Sequence, residues 1–251
     1  MIELRNLRTF VLALMLVLSG PAATSATEPV LSPADETRLG DAIAMRIAAQ
    51  GILIERPELN ELLLGLAGAS DATDAPWIWR VHLLRSAGIT SFDTVGGHVY
   101  ISRGLIFACA DGAQLRAALA HQMAHATARD TLRRITAGYG AGRTLALARG
   151  ESPEILDGIA ANLAASGTLA RHGENAELAA DAETLRRGAS PTALHELLSL
   201  VSSRKLSARY VDVHPVTRRR MAALAALPIA VDASPAVVEA FGRLRALLAH
   251  S

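Results

Sequence analysis

Between Ala34 and Gln50 the apolar residues Leu39, Ile43 and Ile47 recur every four positions, a spacing that predicts an amphipathic helix. A second short helix is expected over Glu58–Ala67, then a turn-rich break over Asp71–Pro76. Trp77–Leu84 alternates in part and is rich in Trp, Ile and Val, which predicts a strand. Two shorter strand pieces follow within Ser91–Ser102, around Gly96-Gly97. Asp111 is a candidate N-cap for a helix whose face carries Leu115, Leu119, Met123 and Ala126, and which extends to Arg129. Beyond it the pattern predicts helices over Thr131–Arg149, Glu154–Leu163 and Glu174–Arg187, the last stopped by Gly188. Ser166–Gly173 reads as a loop. Pro191–Val201, Pro215–Leu227 and Pro235–His250 close the chain as helices, with proline near each start. The expected fold is α+β, mostly helical, with a small sheet.

Composition agrees: hydrophobic residues are 51% and aromatics only 4%, so the core is built from Ala and Leu rather than from a large sheet. The first residues form a different pattern. Arg5 and Arg8 precede the apolar run Phe10–Leu18, Gly20-Pro21 breaks it, and small residues follow to Ala26, the order of a cleaved secretory signal peptide. The run is short for a membrane span, which needs about 20 apolar residues. Without Glu3, Arg5 and Arg8, twenty-three basic and twenty-three acidic side chains remain. That balance offers nothing to nucleic acid, although peripheral contact with a membrane stays open. The single cysteine, Cys109, cannot form an internal disulfide and lies in an apolar stretch, so it reads as a buried small hydrophobe.

The chemistry concentrates at Ala120-His121-Gln122-Met123-Ala124-His125. Histidines four apart on a helix project from one face, and two such imidazoles can reach one metal ion. On their own they are weak evidence, because helices carry such pairs by chance. A later helix adds Glu177 and Asp181, also four apart, one able to ligate and the other able to orient a ligating histidine. Taken alone, that pair reads equally well as a solvated acidic face.

Four segments in order carry a more specific likeness: Gly96–Leu105, Leu119–Arg129, Glu177–Asp181 and His214–Arg220. Together they resemble peptidase family M48, the gluzincins that include HtpX-type and CAAX-prenyl-type proteases, and most of all its soluble periplasmic members. The resemblance covers roughly residues 60–228. It implies a zinc cofactor held by His121, His125 and Glu177, with Asp181 and Arg220 as supporting residues. It also implies a substrate-binding strand at Gly97, His98, Val99 and Tyr100, and a role for His214 at the oxyanion or as a gate. His82, His172, His195 and His250 read as surface or core residues.

The chain departs from the pattern at one decisive place. The glutamate that serves such sites as general base falls on Gln122. A carboxamide can orient water by hydrogen bonding but is far too weak a base to take its proton. General base catalysis supplies about 10²–10⁴-fold, so a loss of at least that order is expected. Glu174 and Glu183, close to Glu177 in sequence, are the carboxylates to consider as replacements. The expected organisation is a signal peptide (1–26), an N-terminal helical segment (27–65), a metallopeptidase-like domain (66–228) and a C-terminal helix (229–251). The expected function is that of an exported, periplasmic protein of the zinc metalloendopeptidase family. It would keep its metal, act on or bind polypeptides or other envelope proteins, and have strongly impaired hydrolysis. The alternatives are a slow but working endopeptidase rescued by another carboxylate, and a helical domain that holds no metal.

Overall fold

The computed structural model describes residues 31–68, 75–169, 171–203, 208–229 and 234–249. The expected signal peptide lies outside them, as does most of the Asp71–Pro76 break. From Leu31 onward the chain forms one compact unit, which takes in both the N-terminal and the C-terminal helices.

Helix α1 (Pro33–Ala48) is capped by Ser32, whose hydroxyl accepts from the Asp35 N–H, and α2 is Pro57–Ala67. Three strands follow, β1 (Arg80–Leu84), β2 (Ser91–Asp93) and β3 (His98–Ser102), in the order β1-β3-β2. β3 pairs in parallel with β1 (His82 opposite Tyr100) and antiparallel with β2 (Phe92 opposite Tyr100). The turn before β3 needs glycine: Gly97 has φ 84°, and a Cβ there would stand 2.1 Å from the Trp77 ring. The rest is helical: α3 (Arg103–Ala108), α4 (Gly112–Thr127), α5 (Asp130–Tyr139), α6 (Ala141–Ala148), α7 (Pro153–Ser166), α8 (Glu174–Arg186), α9 (Pro191–Ser203), α10 (Ala208–Val213), α11 (Arg218–Ala225) and α12 (Pro235–Ala249). Asp111 caps α4 as expected, accepting from the Gln114 N–H. The predicted helix over Thr131–Arg149 is instead two, parted at Gly140 with φ 81°.

Alternation along the strands gives the sheet two different faces. Val81, Leu83, Val99 and Ile101 join one core with Leu115, Leu119 and Met123 of α4. Leu84, Phe92 and Tyr100 join the other core with Leu39, Ile43 and Ile47 of α1. Helix α4, buried along almost its whole length, packs against β2, α8, α9, α2 and α12. An Ala-rich sequence suits this position, since small side chains let neighbouring elements approach from every side. Cys109 lies in the α4 core, 1% exposed, with its thiol pushed up to about 12 by burial.

Candidate metal centre

Helix α4 presents His121 and His125 one turn apart, and α8 brings Glu177 across to them. The Nε2 atoms of the two histidines are 3.1 Å apart. Glu177 Oε2 lies 3.3 Å from His121 Nε2, and Oε1 lies 3.4 Å from His125 Nε2. The two rings meet at 88°, so their nitrogens converge on one point from different directions. His214, just after α10, completes a group of four whose candidate ligand atoms lie within 4.8 Å of one another. All four, and Gln122, are 0% exposed.

The supporting contacts fix which nitrogens face inward. His125 Nδ1 bonds Asp130 Oδ2 at 2.7 Å, leaving Nε2 for the centre. His121 Nδ1 lies 3.3 Å from Asp181 Oδ1, close enough for charge but not aligned as a hydrogen bond. Arg220, fully buried, donates to both Asp181 oxygens at 2.7 Å and to the Pro215 carbonyl at 2.9 Å. Its Nη1 also stands 2.6 Å from Glu177 Oε2. Burial works against ionising Glu177, but the surrounding imidazoles outweigh it and hold the carboxyl well below the usual range. Burial likewise opposes a charge on His125, yet hydrogen bonds to Asp130 and Glu177 raise it to about 9. A pocket that draws a proton onto a fully buried imidazole is one whose potential favours a cation. Converging nitrogen lone pairs, an ionised carboxylate and orienting carboxylates behind the rings are the donor set of a divalent metal site with nitrogen and oxygen ligands. The residues present fit the ion.

At position 122 the amide is fully engaged as a donor. Gln122 Nε2 donates to Ser91 Oγ at 3.0 Å and lies 3.2 Å from His214 Nε2. His214 in turn bonds Glu177 Oε1 through Nδ1 at 3.1 Å. The network assigns the tautomer: Nδ1–H donates to the carboxylate, and the Nε2 lone pair accepts from the amide. Burial keeps His214 neutral, lowering it to about 4. The amide oxygen, Gln122 Oε1, is buried with no donor among the described residues.

The family model for peptidase family M48 matches residues 54–227. The chain belongs to peptidase family M48. No curated protein matches it. Within this M48 domain several residues that the sequence left unmarked crowd the metal centre. His172, read as surface or core, stacks on the His214 ring with centroids 4.9 Å apart and lies 3.9 Å from the His125 ring. Arg134 bonds its Nδ1 at 2.8 Å. Asp93 is buried on β2 two residues from Ser91, therefore on the same face, and Thr131 Oγ1 donates to it at 3.2 Å. Burial raises Asp93 to about 7, against the pull of His125. The residues just before α8 and the end of α10 are joined beside the centre: His172 N–H donates to the Val213 carbonyl at 3.0 Å.

One expectation is corrected. His98, Val99 and Tyr100 cannot accept an added strand, because β3 is the middle strand with β1 paired on one side and β2 on the other, and Gly97 lies in the turn before it. His98 also projects from the opposite sheet face to Ser91 and Asp93, bonding His82 and Asp41 instead. Neither Glu174 nor Glu183 faces the centre. Glu174 is half-buried beside Arg219, and Glu183 pairs with Arg186 and Arg187.

Proposed function

We propose that this protein is a zinc-holding member of the M48 peptidases, exported to the periplasm, in which peptide hydrolysis is strongly impaired and polypeptide binding or regulation remains. Zinc is the metal on which M48 peptidases depend, and when bound it would polarise a carbonyl and lower the pKa of water. His121, His125 and Glu177 would hold it, Asp130 and Asp181 would orient the rings, and Arg220 would fix Asp181. The observation that carries the reading is the state of Gln122. Its two N–H groups point to Ser91 and His214, linking the segment after α10 to α4 and β2, and its amide oxygen can accept a hydrogen bond but is far too weak a base to take a proton from water. A glutamate at 122 would add a base and, as an acceptor only, could not donate to the His214 lone pair.

The test is Gln122→Glu in a peptide-hydrolysis assay with zinc present. Cleavage should rise by about 10²-fold or more over the native chain. Equal rates in the two proteins would defeat the claim of impairment. A second reading, slow but genuine hydrolysis, is favoured by Asp93, the buried carboxylate on the strand face that meets α4. In that case Asp93→Asn would abolish the residual activity of the native chain and leave zinc content unchanged.

A further inference from the structure

On the sheet face turned away from the metal centre, three side chains form an unbroken hydrogen-bonded chain. Asp41 Oδ1 lies 3.0 Å from His98 Nε2, and His98 Nδ1 lies 2.8 Å from His82 Nε2. The two imidazoles are nearly coplanar, at 9°, with centroids 5.1 Å apart. That separation is the 2.8 Å contact plus one ring radius on each side, so the bonded nitrogens point straight at each other. A shared proton fits this geometry. A metal ion does not, since it needs both lone pairs bent toward one point, as His121 and His125 are. The carboxylate fixes the rest: His98 Nε2–H donates to Asp41, His98 Nδ1 accepts from His82 Nε2–H, and His82 Nδ1 is left as a lone-pair acceptor. Burial keeps both rings neutral, each lowered to about 4. His82 is also held by the Tyr100 ring, stacked at 4.6 Å.

This chain ends in a cleft of about 760 Å³ between α1, the Leu53–Pro57 segment and β1, a size within the usual range for small-molecule sites. Asp41, Ala44, Met45 and Ala48 line it at helical spacing from one face of α1, with Leu53 and Ile54 opposite. Met45 is 66% exposed, an apolar side chain standing on the cleft wall. Arg80, two residues from His82 on the same face of β1, lines the polar end and lies 3.7 Å from Asp41. We propose that this cleft binds a carboxylic acid with an apolar body. The acid O–H donates to His82 Nδ1, its other oxygen accepts from Arg80, and the hydrocarbon lies along Met45, Ala48 and Leu53. Binding of the anion takes up one proton from solvent, which is shared between the acid and His82 Nδ1; no other bond is made or broken. The site is separate from the metal centre and does not depend on the reading of Gln122.

The probe is octanoate, titrated into the full zinc-loaded protein by calorimetry and followed in the histidine and methionine-methyl NMR signals. Octanoate should bind about tenfold or more tightly than octan-1-ol, which lacks the second oxygen. Shifts should fall on His82, His98 and Met45. His82→Phe, which keeps a ring on Tyr100, should erase the octanoate advantage with zinc content unchanged. An N-acetyl trileucine with a free carboxyl terminus, compared with octanoate, tells a peptide end from a free acid. The proposal is overturned by equal affinity for octanoate and octanol, by no saturable binding, or by undiminished binding to His82→Phe.

Discussion

Arg220 is the side chain whose loss should be felt most. It is fully buried, binds Asp181 through two parallel hydrogen bonds of 2.7 Å, donates to the Pro215 carbonyl, and stands 2.6 Å from Glu177. Replacing it by methionine removes the cation and leaves two buried carboxylates facing each other without it. Breaking one side of a buried ion pair costs about 3–5 kcal/mol. That is a large share of the roughly 5–15 kcal/mol by which a domain is stable. At about 2–4 °C per kcal/mol for a chain of this size, Arg220→Met should lower Tm by roughly 6–20 °C. Arg220→Lys should recover little, because an ammonium cannot reproduce the planar fork. Thermal unfolding by circular dichroism with zinc bound, and again after chelation, measures this. The metal-free variant should suffer more, since zinc offsets part of the charge on Glu177. A Tm within 2 °C of the native protein would refute the reasoning.

Two further outcomes concern His125 and Cys109. In metal-free protein His125 is raised from 6.5 to about 9, so its contribution to stability is fully present below about pH 6.5 and is lost as pH rises through about 9. Tm of the metal-free protein should therefore fall between pH 6.5 and 9.5. Zinc-loaded protein should lack that fall, because a ligated imidazole carries no extra proton, and matching profiles would contradict the assignment. Cys109, buried with its thiol raised to about 12, should resist iodoacetamide in the native state and react once unfolded; rapid native labelling would show the α4 core to be open.

The part of the centre that was legible in the sequence is the part built on helical spacing. His121 with His125, and Glu177 with Asp181, sit four apart on α4 and α8, so each pair shares a face whatever the rest of the chain does. What could not be read is what tertiary contact alone supplies. His172, Arg134 and Asp93 come from a loop, the middle of α5 and a three-residue strand, and only packing brings them round His125, while Asp130 follows it by five residues at the start of α5. The strand error has a different cause. The letters marked Gly97–Ile101 and the strands on either side of it as extended but not which of them pair, and the order β1-β3-β2 puts β3 in the middle. A period-two reading of β2 would have placed Ser91 and Asp93 together, and that signal was present. Gly140 also offered a visible break in the Thr131–Arg149 run, where apolar residues on both sides kept the helical pattern going.

Zinc content of the purified chain, by atomic absorption, tests the centre most directly. One zinc per chain, lost in His121→Ala while the fold is retained, is the predicted result. A folded native protein free of zinc after zinc loading, or an undiminished zinc content in His121→Ala, would contradict it.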